Sequence, residues 1–454
     1  MWLSRLFSSG TGDAFKLNTT VSEKQSKPMK IVGPPFGLAW VLPVLLWLGS
    51  SAAVQAQFTY VTNNGAITIT GWTGPVGPAS IPEIINGLPV TAIGDSAFSL
   101  NSNVTSVVIG DRITQMGMRA FFFCTNLASV TIGTGLTNIE TYAFYNCSNL
   151  TQVVLGTNVE SIGDLAFCGS TKLAHIHLPD SLLSLGESAF SFSGLTNITV
   201  PNSVKTIEDE AFANCYRLQD AQLSTGITTL SPQLFRQCTN LVNFVIPSSV
   251  TNVGYGAFEL CTCLSGIIIP SSVRSIDYWA FEFCSGLKRV TISYGVTDIG
   301  LAAFADCSKL SNLTIPGSVT NIGGAAFSSD ENLAGLFFQG NAPSAGWTDA
   351  PTNLTAYYLP STTGWQAFTV SSGIPTTLWN PQAQTSDGGF GVQTNQFGFN
   401  ITGTTNIPIV VEASTNLAGA WVPLQSVSLT NGSFHFSDPQ WTNYPGRFYR
   451  IRSP

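Results

Sequence analysis

The chain has 454 residues, of which 9% are charged, with 18 Lys and Arg against 25 Asp and Glu and a formal net charge of −7. No basic face is available for nucleic acid, so nucleic-acid binding is excluded as a reading. Sparse charge with many Thr, Ser, Asn and Gly fits a secreted β-rich chain better than a cytosolic enzyme.

Met29 and Lys30 precede an apolar stretch at 31–48, which ends in Gly49-Ser50-Ser51-Ala52-Ala53-Val54-Gln55-Ala56. A charged start, an apolar run and a small-x-small end predict a secretory signal peptide over 29–56, cleaved after Ala56. Residues 1–28 do not fit that pattern and read as an extension upstream of the true start, Met29. Prolines and the Gly-Ser-Ser break argue against an uncleaved membrane span. The expected mature chain is secreted, extracellular or at the cell surface, with no stable transmembrane anchor. Residues 57–87 follow as a short β cap, with Phe58, Tyr60, Ile67, Ile69 and Trp72 as its apolar side and turns at Asn64-Gly65 and Gly74-Pro75.

From residue 88 a single register takes over. Phe98, Phe121, Phe144, Phe167, Phe190, Phe212, Phe235, Phe258, Phe281, Phe304 and Phe327 are 23 residues apart, except one step of 22. A fixed period of this length means stacked coils, each unable to bury its own apolar face alone. Five and eight residues before each Phe stand aliphatic residues, or Met116, such as Ile276 and Val273 before Phe281. The residue just before Phe is Ala, except Leu234. After Phe comes a Leu, then a period-two run such as Arg289-Val290-Thr291-Ile292, which reads as a half-buried strand. Pro179, Pro201, Pro247, Pro270 and Pro316 close strands because proline has no N–H for the ladder. The short step is a residue lost between Phe190 and Leu195.

The recurring string Val-Thr-x-Ile-Gly-x-x-Ala-Phe-x-x-Cys-x-x-Leu-x-x-Val-x-Ile-Pro, as at 296–316 and 250–270, resembles the BspA-like leucine-rich repeat. The fold expected is therefore a repeat solenoid of about eleven coils over 88–340, with short parallel strands, turns and short helical turns, followed by a small all-β module. The resemblance implies an extracytoplasmic protein of bacterial surfaces, used in adhesion and partner binding. It implies no shared catalytic site, so no functional residue carries over.

Seven cysteines, at 124, 147, 215, 238, 261, 284 and 307, fall three residues after Phe. Equivalent residues of stacked coils point the same way, so their Cβ vectors are badly aimed for disulfides. They read as unpaired buried thiols, small hydrophobes in a row. A linear row also makes no tetrahedral zinc site. Cys168 and Cys263 lie off this row.

The Phe register stops after Phe327. Residues 341–383 read as a C-terminal cap of one or two atypical coils plus a closing turn, marked by Tyr357-Tyr358-Leu359-Pro360 and Leu378-Trp379-Asn380-Pro381. Residues 384–454 hold five strand-like runs (397–401, 407–412, 421–429, 433–436 and 447–451) and read as a small β-sandwich.

No nucleophile elbow, phosphate loop, metalloprotease helix or recurring carboxylate pair is present. No catalytic residue, cofactor or metal ligand is assigned, and the chain does not read as an enzyme. His175 and His177 fall on outward strand positions about 7 Å apart. Their rows continue into Gln152, Asn197, Thr199, Asp220, Gln222 and Asn243, which together form the candidate ligand face. The reading is a secreted or cell-surface scaffold that presents this sheet face to a protein or polysaccharide partner. The alternative is a structural envelope or matrix component without a discrete ligand.

Overall fold

The computed structural model describes residues 57–345 and 347–454. The expected upstream extension at 1–28 and the expected signal peptide at 29–56 lie outside those residues. Among the described residues no helix is long and apolar enough to cross a membrane.

Two parallel ladders run along the array. On one face run the longer strands, such as Val104–Ile109, Ser129–Ile132 and Gln152–Val154, paired Val107 to Val130 and Val130 to Val153. On a second face two-residue strands pair in register, as in Asn252–Val253, Ser275–Ile276, Asp298–Ile299 and Asn321–Ile322. The alternation dictates the faces: Val130 and Ile132 are buried, while Ser129 and Thr131 look outward.

The first ladder outruns the phenylalanine register at both ends. Gly77–Ser80 pairs with Val104–Ile109 before the first repeat. Thr355–Tyr358 and Thr376–Leu378 extend it after the last, with the helix Trp365–Ser372 packed between them in sequence. The N-terminal hairpin Phe58–Asn63/Ala66–Trp72 turns at Asn64-Gly65, both in the left-handed region, as a tight two-residue hairpin requires.

The third side of each coil carries the phenylalanines. Every register Phe from Phe98 to Phe327 is at most 1% exposed. Their rings stack along the array with centroids 4.6–5.9 Å apart and planes within 20°. Burying each ring contributes about 1.5–3 kcal/mol. Trp347 continues the stack beyond Phe327 at 5.6 Å, and Phe58 ends it edge-on to Phe98 at 6.4 Å.

The corners around Phe use backbone that sequence reading did not anticipate. The residues two before and two after every register Phe have φ between 51° and 75°. Only Gly169 and Gly256 among them are glycine; Arg119, Phe123, Trp279 and Phe283 adopt the same conformation. A non-glycine residue there costs about 1–2 kcal/mol. The return is a third set of inter-coil bonds. The N–H groups of Arg119, Phe121 and Phe123 donate to the carbonyls of Thr141, Ala143 and Tyr145 in the next coil. An all-right-handed run would wind into a helix and aim those N–H groups along its own axis.

The thiol row has a hydrogen-bonding job as well as a packing one. The seven Sγ atoms lie 2.9–3.3 Å from the carbonyl oxygen of the Phe one coil earlier and donate to it. All nine cysteines are free; Cys168 is buried off the row and Cys263 is exposed. Asn101 fills the equivalent place in the first repeat, and its Nδ2 donates to Trp72 O at 3.0 Å.

Asp330 fills that place in the last repeat and is fully buried. Its Oδ1 accepts the Cys307 N–H at 2.6 Å, while Oδ2 has no hydrogen-bond partner. Burial pushes its pKa from 3.8 up to about 8.

The C-terminal module packs two antiparallel sheets around Phe399, Ile401, Ile407, Ile409, Val411, Leu429 and Phe436. It has the short strands Gln382–Gln384 and Gly391–Gln393 in addition to the five runs expected. Trp379 joins it to the last coil, donating from Nε1 to Pro408 O at 2.8 Å.

Phe212→Ala leaves a cavity in mid-array and should cost about 3–5 kcal/mol, whereas Asn243→Ala on the outward face should change stability by no more than about 0.5 kcal/mol; similar urea midpoints for the two would refute the inward and outward assignment. Ala325→Gly removes a left-handed strain, net of the extra unfolded-chain freedom, and should stabilise by about 0.5 kcal/mol. Ala326→Gly, next door and fully buried, should destabilise by about 1 kcal/mol or more. Asp330 has a raised folded pKa, so its contribution is complete below pH 4 and is lost as pH rises towards about 8. Asp330→Asn keeps an oxygen for the Cys307 N–H and should melt at a higher temperature than the parent at pH 8, the gap closing towards pH 4. A gap that does not change with pH would be the wrong outcome.

Candidate functional site

The expected ligand face is assembled by the long-strand ladder. Asn197, Asp220 and Asn243 stand side by side in one row, and Thr199 sits beside Gln222 in the other. Gln152 begins its strand two coils earlier. All eight residues of the face, including His175 and His177, are exposed.

The coil that carries the two histidines departs from expectation. Residues 175–177 form no strand, and the ladder is interrupted between Gln152–Val154 and Asn197–Thr199. The shortened turn after Phe190 is absorbed before the strand: Thr196 N–H meets Ala174 O at 3.0 Å just as Gln219 N–H meets Thr196 O one coil later. Ile176, however, is only partly buried where Val130 and Ile198 are buried. His175 and His177 therefore project from an irregular segment. Thr196 Oγ1 and Asn197 Oδ1 both lie 3.4 Å from His175 Nδ1. Among the described residues no group of three or more His, Cys, Asp or Glu side chains is placed to hold a metal ion.

The face is shallow. Asp220, Gln222, Thr225, Asn243 and Val245 line a depression of about 310 Å3 over Phe244. Its neutral row is studded with aliphatic side chains open to solvent: Val108 is 51% exposed, Val154 46%, Val245 82% and Ile268 66%. Phe337 belongs to the same row by register, yet it is buried, because Tyr357 stacks on it at 4.7 Å and Trp379 meets it edge-on. The outward row thus ends under the C-terminal module.

Two further surfaces were not singled out from sequence. On the turn side Phe122, Phe123, Tyr142 and Tyr145 cluster, with Phe122 stacked on Tyr145 at 5.2 Å and the Arg119 guanidinium 5.2 Å from the Tyr142 ring. The available signal was the crowding of aromatic residues around two successive register positions, Phe122 and Phe123 after Phe121, and Tyr142 and Tyr145 on either side of Phe144. The second is a concavity of about 590 Å3 between the strand face and the last strand, Phe448–Arg452.

The chain matches the family described as "BspA type Leucine rich repeat region (6 copies)" over residues 91–219, 137–265 and 205–334. Among solved structures it is similar to a leucine-rich cell surface protein of Faecalibacterium prausnitzii, at 26% identity over 71% of this chain and 93% of that one, with a TM-score of 0.42. It is similar to a leucine-rich repeat protein of T. pallidum at 28% identity over 46% and 88% of the two chains, TM-score 0.35. The pneumococcal vaccine antigen PcpA is 17% identical over 71% and 97%, TM-score 0.33. No curated protein matches it. Stacked coils, a shared register and a match spanning more than half the chain agree: this chain belongs to the BspA-type leucine-rich repeat family.

Proposed function

We propose that the protein is a secreted or cell-surface binding scaffold whose strand face receives a protein partner. The observation that carries this reading is the exposed aliphatic row, Val108, Val154, Val245 and Ile268, set on a flat and almost uncharged sheet. Apolar groups held open on a rigid surface favour burial against another protein. Hydroxyl and amide neighbours such as Thr131, Thr199, Gln222 and Asn243 supply a polar surround that water or a partner can satisfy. The stacked core keeps the row preorganised, which lowers the entropy lost on binding. The family match is to a repeat scaffold, which supports a binding role for the face.

Immobilised residues 57–454 should retain a saturable protein from envelope extracts of the source cell. Val154→Asp combined with Val245→Asp should lower that retention at least tenfold (about 1.4 kcal/mol) without altering the circular dichroism spectrum. Retention that survives the double substitution, or saturable binding to a neutral polysaccharide instead of a protein, would overturn the reading.

A further inference from the structure

We infer that the cleft between the strand face and the C-terminal module is a binding site for an acidic saccharide that carries carboxylate or sulfate groups. Lys288, Arg289, Arg450 and Arg452 all line this cleft of about 590 Å3. They gather in a chain with more acidic than basic residues. The one carboxylate that engages them is Glu412, buried behind the two C-terminal arginines. Arg450 approaches Glu412 Oε2 at 2.7 Å and Arg452 approaches Oε1 at 2.6 Å. Burial alone would raise the Glu412 pKa, but the hydrogen bonds and charges of Arg452 and Arg450 outweigh it and hold it below the ordinary value. Glu412 thus stays ionised and serves as a fixed anchor. The Arg450 guanidinium also lies 4.4 Å from the Trp421 ring.

This arrangement fixes two planar donor forks before any ligand arrives. Glu412 takes Nε and Nη2 of Arg450 and Nε of Arg452, whose Nη1 donates to Ser453 O; Arg450 Nη1 and Arg452 Nη2 are left for a ligand, and both side chains remain 40–47% exposed. A preordered guanidinium binds carboxylate or sulfate with little further loss of side-chain freedom. Across the cleft, Lys288 and Arg289 are exposed and have no ion-pair partner among the described residues. Pro454 also lines the cleft, and even with the carboxylate of that last residue counted beside Glu412, four cations outnumber two anions in a concave site, where the field is focused.

The remaining lining sets the class of ligand. Asn312 and Gln339 offer amide donors and acceptors between the charged groups, suited to sugar hydroxyls. The lining has no aromatic ring and no exposed aliphatic recess for the side chains of an acidic peptide. The volume falls in the range of small-molecule pockets, enough for one or two sugar rings.

The site does not depend on the strand-face partner, and its test is separable from that one. Residues 57–454 would be titrated calorimetrically with oligogalacturonate, sulfated dextran oligomer, neutral dextran and poly-glutamate, each at low and at physiological salt. At least one acidic oligosaccharide should bind with one-to-one stoichiometry and weaken with salt, and which one binds separates carboxylate from sulfate. Lys288→Gln with Arg289→Gln keeps the strand backbone and Cβ atoms in place, removes the two charges, and should lower that affinity roughly tenfold or more. Arg450→Lys, which keeps the charge beside Glu412 but removes the fork, should also weaken it. The Val154→Asp, Val245→Asp protein should bind the saccharide normally even though its strand face is spoiled. The inference is overturned if neither acidic oligosaccharide binds, if neutral dextran binds equally well, or if the Lys288, Arg289 variant binds unchanged. Poly-glutamate binding at least as tightly would overturn it in favour of an acidic peptide.

Discussion

A coil of 23 residues cannot enclose a core, and everything else in this structure answers to that shortage. Each coil completes its interior only by laying its Phe, its two aliphatic residues and its Leu against the same side chains of the next. The position of every inward residue is therefore fixed by its neighbours, and a deviation must be absorbed locally or it spreads. The lost residue after Phe190 is absorbed within its turn, since Thr196 N–H still donates to Ala174 O. Leu195, Ile198 and Val200 are all buried at their inward positions.

The same constraint explains why the corners tolerate strain. Left-handed backbone at Arg119, Phe123, Trp279 and Phe283 is unfavourable for each residue taken alone. It is retained because it lets three N–H groups per corner donate to the next coil, and an unpaired buried N–H costs about 1–3 kcal/mol. The thiols complete the arrangement from inside by donating to the Phe carbonyls. Corner geometry is thus a property of the stack, enforced between coils, and the identity of the corner residue has little say in it.

That difference marks what could be read in advance. The phenylalanine spacing, the aliphatic positions and the alternation at 129–132 or 312–315 are properties of one-dimensional pattern, and they specify coils, ladders and the inward and outward rows. The left-handed corners were illegible because glycine, the residue that would announce them, occupies only two of the sites. The missing strand at His175 and His177 was illegible because the alternation His-Ile-His reads like that of the neighbouring coils, which do form strands. Phe337 looked outward by register, and only the docking of Tyr357 and Trp379 shows it covered. The ion pairs of Glu412 with Arg450 and Arg452 span 38 and 40 residues within a module that has no period to reveal them.

Periodicity also decides where chemistry can reside. Outward positions of neighbouring coils stand directly side by side in the ladders, about 4.8 Å apart, so like charges repeated along a row would repel. The rows accordingly set each charge among neutral neighbours: Asp220 lies between Asn197 and Asn243, and Arg289 lies beside Gly266. A repeat face built under that rule displays shape and scattered apolar groups, and a dense charge cluster has to be assembled from outside the repeat. The C-terminal module does this by bringing Arg450 and Arg452 against the coil that carries Lys288 and Arg289. The two surfaces are physically distinct for this reason: periodicity keeps the strand face bland, while the cleft gains its charge where periodicity ends.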